Sequence, residues 1–178
     1  MTKRRLIKLL TTVLVLVALS LFGVGIQQNG SVSVPNLRTA TQPGFYPVVS
    51  ISDGDTLQAR IGGKTETIRM IGIDTPETKD PRKPVQCFGK AASAETHRLL
   101  EGKAVRLEGD PTDSDRDKYH RLLRYVYLPD GTMVNEYLVK NGYAFAYTLF
   151  PFTKLEAFRG YERDAREHNR GLWGGCKV

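Results

Sequence analysis

Between Tyr46 and Ile73 the sequence alternates apolar and polar residues and breaks twice at turn formers. Tyr46 to Ser52 (YPVVSIS) reads as a first strand, followed by Asp53-Gly54. Thr56 to Ile61 (TLQARI) alternates again, Gly62-Gly63 supplies a two-residue hairpin turn, and Lys64 to Ile73 (KTETIRMIGI) returns. The pattern predicts a three-stranded antiparallel meander. Gly89 to Leu100 then places Ala92, Thr96, Leu99 and Leu100 on one helical face, and Gly102 ends that helix. Lys103 to Glu108 and Leu122 to Leu128 supply two more strands. Val134 to Asn141 and Lys154 to His168 supply two more helices. Five short strands, with a helix inserted after the third, predict an α+β domain built on a five-stranded OB-like barrel with about three helices.

An N-terminal hydrophobic segment precedes this domain. Lys3, Arg4, Arg5 and Lys8 are followed by eighteen uncharged residues from Leu9 to Ile26, the pattern of an export signal. The run is also long enough for a short membrane span, so a cleaved signal peptide and a retained signal anchor both stay open. Residues 27–44 are polar and rich in Gly, Pro, Ser and Thr, and read as a linker. The expected organisation is a leader over 1–26, a linker over 27–44 and a folded domain over 45–178. The protein is expected to be secreted or extracytoplasmic, touching membrane only through residues 9–26. In an oxidising compartment Cys87 and Cys176 either pair or stay thiols. Pairing would close a long loop, worth on the order of 3–5 kcal/mol.

The net charge of +7 must be read with the leader set apart. Four of the 26 Lys and Arg lie in the leader, which holds none of the 19 acids, so the remainder is only +3. Net charge is therefore a weak pointer to a polyanionic partner, and particular residues must carry the argument. Asp53-Gly54-Asp55-Thr56 follows the first strand, and Asp74-Thr75-Pro76-Glu77-Thr78 follows the third. Carboxylates at strand ends can converge on a hard cation, although the same residues are ordinary turn formers. Arg69, inside the third strand, suits a phosphate. Arg69 and Asp74 are five residues apart, so a straight strand would put them on opposite faces. For both to serve one site the strand must bend or end near Gly72.

The segment Asp110 to Arg121 (DPTDSDRDKYHR) reads as a solvated loop that presents Lys118, Tyr119 and Arg121. Asp113 to Asp117 imitates the start of an EF-hand loop, but Lys118 stands at its glycine position and Arg124 at its final Glu position. The three histidines form no metal-binding pair at helix spacing. There is no G-x-S-x-G and no P-loop. Glu101-Gly102-Lys103 lies at a helix end, which sets aside a metal-nuclease D…E-x-K arrangement.

Taken in order, Asp53-Gly54-Asp55-Thr56, Arg69 with Ile73-Asp74-Thr75-Pro76-Glu77-Thr78, and Asp117-Lys118-Tyr119-His120-Arg121 resemble the signature of the staphylococcal (micrococcal) nuclease family, the thermonucleases. The likeness continues through Phe88 to Ala94, Met133 to Glu136 and Gly171-Leu172-Trp173, covering roughly residues 46–174. The resemblance implies a monomeric OB-fold nuclease that hydrolyses DNA and RNA with Ca2+ and leaves 3′-phosphate ends. By position it implies Asp55 and Asp74 as calcium carboxylates, with the backbone carbonyl of Thr75 beside them. Glu77 becomes the general base, and Arg69 and Arg121 the clamp on the scissile phosphate. Lys118 and Tyr119 match contacts to a terminal phosphate, and Tyr147 lies near the base-stacking position. His120 replaces the usual glycine before the second arginine. The cysteines are not part of the pattern of the family's best-known member. Two other classes stay open at this level: a catalytically silent nucleic-acid-binding OB module, and an envelope protein whose basic surface binds polyanions or lipid.

Overall fold

Both turns of the meander form, and the second shows why it is Gly-Gly. Gly62 and Gly63 have φ of +54° and +81°, a left-handed pair that residues with a Cβ rarely adopt. The coordinates are a computed structural model of the chain, and the residues described are 44–78 and 84–177. They belong to a compact unit spanning Ala40–Val178. The leader over 1–26, and the linker apart from Gly44, lie outside the described residues. Among the described residues no helix is long and apolar enough to cross a membrane.

Strands β1 (Tyr46–Asp53), β2 (Thr56–Ile61) and β3 (Lys64–Met70) form the meander. β3 pairs in parallel with β6 (Leu122–Tyr127), Arg69 standing opposite Leu123. β6 pairs with β5 (Ala104–Glu108), and β5 returns to β1 at Tyr46–Val105, closing the barrel in the order β1-β2-β3-β6-β5. Two register shifts in β1, after Val48 and after Ile51, add the local twist that closure of so small a barrel needs. Leu57, Ala59, Ile68, Met70, Val105 and Val126 fill the interior. Helix α1 (Gly89–Leu100) buries Ala92, Thr96, Leu99 and Leu100, the face predicted from spacing. α2 (Val134–Lys140) and α3 (Leu155–Glu167) are the other two predicted helices, and a one-turn α4 (Leu172–Gly175) adds to them. Cys87 and Cys176 are joined by a disulfide.

Three differences from the sequence reading have local causes. First, the third strand stops at Met70 rather than Ile73. Gly72 turns the chain at φ +74°, and a Cβ there would lie 2.7 Å from the ring of Phe152. Second, the chain beyond the kink forms β4 (Ile73–Asp74), which pairs with β7 (Phe145–Ala146) in a separate two-stranded sheet. Third, the Asp110–Arg121 segment is not wholly solvated. Asp110 is buried and accepts hydrogen bonds from the Tyr125 hydroxyl at 2.6 Å and from the backbone and hydroxyl groups of Thr112 and Thr153.

Candidate functional site

The β1–β2 turn is pressed onto the chain that leaves β4. A Cβ on Gly54 would lie 2.8 Å from the Thr75 side chain, so only glycine admits this approach. From below, the Thr96 hydroxyl of α1 donates to the Gly54 carbonyl at 2.7 Å. The buried Asp55 is thereby set beside Thr75: its Oδ2 accepts from the Thr75 N–H at 3.0 Å and the Thr75 hydroxyl at 3.1 Å. Its Oδ1 accepts from the Thr56 hydroxyl at 2.9 Å.

The kink at Gly72 resolves the facing problem of Arg69 and Asp74. With the chain redirected, Arg69 Nη2 donates to Asp74 Oδ1 at 2.9 Å, while Nη1 stands 2.7 Å from Asp55 Oδ2. The Arg69 side chain is only 14% exposed, and Nη1 is buried without an aligned hydrogen-bond acceptor despite its ion pair.

Burial pushes the Asp74 carboxyl above its usual range. Arg69 opposes the shift, and the charges of Asp55 and Glu77 add to it. Burial also raises Asp53, against hydrogen bonds from the Gly54 N–H and the Thr78 hydroxyl. Both are carboxylates crowded by other carboxylates, a condition that a cation would relieve.

Arg121 reaches the same cleft from the β5–β6 loop, and its support is local. Asp117 Oδ1 accepts from the backbone N–H of Tyr119 and of Arg121, each at 2.9 Å, while Oδ2 takes Arg121 Nε at 2.6 Å. Burial alone would raise Asp117, but the Arg121 and Tyr119 donors outweigh it and hold the carboxyl low. His120 completes the loop at φ +62°.

A cleft of about 400 Å³ is lined by Ser52, Asp53, Asp55, Thr56, Arg69, Asp74, Thr75, Glu77 and Arg121, a volume in the range of small-ligand sites. Six predicted site residues therefore share it: Arg69, Glu77, Arg121, Asp55, Asp74 and Thr75. The others do not line it. Tyr119 is 67% exposed, with Lys118 Nζ and Arg121 Cζ 5.1 Å and 5.4 Å from its ring centroid. Tyr147 is half-buried, its N–H donates to the Gly72 carbonyl at 2.9 Å, and its ring lies 6.0 Å from that of the exposed Phe150. Among the described residues no group of three or more Asp, Glu, His or Cys side chains converges as a ready metal cluster. Asp55 and Asp74 supply two carboxylates, and a carbonyl such as that of Thr75 would have to complete an oxygen set. That donor chemistry suits a hard cation.

The sequence reading named Asp53 in its motif but gave it no role of its own, and it missed Asp117 as the holder of Arg121. The spacing of Asp117 and Arg121 outside a helix was the available signal, overshadowed by the EF-hand imitation. Gln86 was missed too: its N–H donates to the Glu77 carbonyl at 2.9 Å, and its Oε1 accepts the Glu77 N–H at 2.8 Å. Nothing in the composition around Gln86 signals that clasp.

Two arginines, crowded carboxylates and an open cleft on the side of a five-stranded barrel define a protein built to hold an anionic oxygen centre. Comparison with known proteins makes this specific. Residues 67–175 match the family model described as staphylococcal nuclease homologue. The chain is 38% identical to a thermonuclease of Staphylococcus hyicus, over 93% of this chain and 98% of that protein. It is 36% identical to a thermonuclease of Staphylococcus intermedius over the same shares. It is 43% identical to endonuclease YncB of Bacillus subtilis (strain 168), over 68% of this chain and 57% of that protein. The chain belongs to the staphylococcal nuclease family.

Proposed function

We propose that this nuclease is exported and hydrolyses phosphodiester bonds of DNA and RNA, using one calcium ion and leaving 3′-phosphate ends. The observation that carries the reading is the meeting of Arg69 and Arg121, from distant parts of the chain, in one cleft with Asp55, Asp74 and Glu77. A phosphodiester brings one negative charge, and its pentacovalent transition state spreads more over the equatorial oxygens. Guanidinium groups already fixed by carboxylates need little reorganisation to stabilise that charge. Arg69 is fixed by Asp55 and Asp74, and Arg121 is oriented by Asp117.

Glu77 acts as general base, taking the proton of the attacking water. Asp55, Asp74 and the carbonyl of Thr75 would hold calcium. When bound, that ion supplies a positive charge beside the phosphate and makes nearby water more acidic. Lys118 and Tyr119, on the rim next to Arg121, meet a neighbouring phosphate. The half-buried Tyr147 and the exposed Phe150 form an aromatic step suited to stacking an unpaired base. The basic flank and apolar run of residues 1–26 support export as signal peptide or anchor. Outside the cell, a weak calcium site would be filled.

End-group analysis of exhaustive digests tests the chemistry. With calcium, DNA and RNA are both expected to yield fragments that accept a 3′ label only after phosphatase treatment. Fragments with free 3′-hydroxyls, or products from one nucleic acid only, would contradict the proposal.

A further inference from the structure

Glu77 sits in a seat made by residues 86–89. Gln86 clasps its backbone at both polar groups, N–H to carbonyl and Oε1 to N–H. Gly89 lies against the same stretch so closely that a Cβ would fall 2.9 Å from the Pro76 carbonyl and 3.2 Å from that of Glu77. The seat is rooted at its α1 end, where the Phe88 ring lies 5.7 Å from that of Tyr143 and Gly89 is buried, and exposed at its other end. It begins α1 at Phe88 in a left-handed conformation, without a capping side chain, and Gln86 and Cys87 are exposed. The far end of the disulfide is better rooted. Cys176 closes α4, whose Leu172 N–H donates to the Gly142 carbonyl at 2.9 Å. Gly142 and Gly171 approach so nearly that a Cβ on either would clash with the other's backbone neighbourhood. The crosslink thus ties the exposed Gln86–Cys87 end of the seat to an anchored tail.

We propose that the Cys87–Cys176 disulfide sets the turnover of this nuclease by holding Gln86, a positioning residue, against Glu77. The inference rests on the reading of Glu77 as general base. Opening the crosslink requires a dithiol. One of its sulfurs attacks a cysteine sulfur, the Cys87–Cys176 bond breaks, and two electrons pass from the reagent to the protein. Both cysteines end as protonated thiols, while the reagent closes into its own disulfide. The exposure of Cys87 makes it reachable. Once the seat loosens, Glu77 wanders from the attacking water, whereas Arg69, Arg121 and Asp55, held by other elements, keep their places. The result is a nuclease throttled wherever thiols stay reduced and fully competent after export.

The test is steady-state hydrolysis of single-stranded DNA by the full-length chain in mild detergent with saturating calcium. It is run oxidised, reduced by dithiothreitol and reoxidised, at a temperature where circular dichroism shows all forms folded. Reduction is expected to lower kcat roughly tenfold, the scale of a small misplacement of a reacting group, with KM within about twofold and recovery on reoxidation. Cys87→Ser/Cys176→Ser is expected to have the low kcat permanently and to ignore the reductant. Gln86→Ala, still oxidised, is expected to match it, with Gln86→Glu recovering part of the rate because its carboxylate can still accept the Glu77 N–H. In Glu77→Gln, reduction is expected to change kcat less than about twofold, since both changes act through one group. An unchanged kcat on reduction, with Glu77→Gln still inactive, would overturn the redox proposal alone. A nearly active Glu77→Gln would overturn the general-base reading and this inference with it.

Discussion

Asp110 and Asp74 are the same residue treated in opposite ways by one fold. Asp110, beyond β5, is buried among five donor groups from Thr112, Tyr125 and Thr153. Burial alone would raise its carboxyl, but those hydrogen bonds outweigh it and hold the group far below the usual range. Asp74, in the cleft, has Arg69 as its hydrogen-bonding donor, and burial beside Asp55 and Glu77 pushes it up. One carboxylate is satisfied and locks the β5–β6 end to the chain before α3. The other stands half exposed in the cleft, paired with Arg69 and crowded by Asp55 and Glu77. Stability and chemistry are thus assigned to different carboxylates.

The largest expected effects fall on the cleft and appear in rate rather than in stability. Arg69→Ala and Glu77→Gln are each expected to lower kcat by about 10²-fold or more, the loss that follows removal of one preorganised group. Near-normal turnover in both, with calcium present, would break the division between the two regions. At the other pole, Asp110→Asn is expected to lower the unfolding free energy by about 2 kcal/mol, the scale of hydrogen bonds to a charged group, in urea titrations. Its kcat should stay within about twofold of the parent.

The two kinds of carboxylate also predict a pH profile without calcium. Asp110 and Asp117 have lowered folded values, so their stabilisation is complete above the unfolded value near 4 and is lost as pH falls below it. Asp53 and Asp74 have raised values, so their ionised forms cost stability at neutral pH, and that cost is relieved as pH falls toward about 4. Because Glu66 and Glu95 are also lowered and lose their contribution in the same range, the cleft is isolated by comparison: chemical denaturation in EDTA is expected to show Asp74→Asn more stable than the parent at pH 7, with the difference shrinking as pH falls toward about 4. A difference that stays constant or grows as pH falls would contradict the crowded cleft. By the same reasoning Asp74→Asn is expected to raise stability at pH 7 in EDTA by ~0.5 kcal/mol, a small gain because the residue is half exposed.

The smallest effect concerns the loop that carries Arg121. His120 holds φ +62°, a left-handed conformation that glycine adopts freely. His120→Gly is expected to raise stability by ~0.5 kcal/mol, with strain relief partly offset by the greater freedom of glycine when unfolded. The rate should be unchanged, because Asp117 orients Arg121 through bonds that do not involve the imidazole.

The comparison also separates what was legible in the sequence from what was not. The meander was readable because Asp53-Gly54 and Gly62-Gly63 are local signals. The convergence of Arg69 with Asp74 was readable as a problem whose answer lay at Gly72. Asp110 was misread because a run such as DPTDSD looks solvated by composition, while its burial depends on Tyr125 and Thr153, far away in sequence. The β4–β7 pairing escaped because two-residue strands carry no periodicity. The residues that touch the cleft were recoverable from motifs, and Asp117 stood in one without showing that it holds Arg121, whereas Gln86 grips the Glu77 backbone and leaves no trace in residue type.

The central claim is that the cleft shared by Arg69 and Arg121 is the site of calcium-dependent phosphodiester hydrolysis. The most direct measurement is the initial rate of acid-soluble nucleotide release from single-stranded DNA by the full-length chain and by Arg121→Ala, with calcium and with EGTA. The account predicts release that stops in EGTA and falls about 10²-fold in a folded Arg121→Ala. Release that persists in EGTA, an undiminished variant, or DNA binding without cleavage would contradict it.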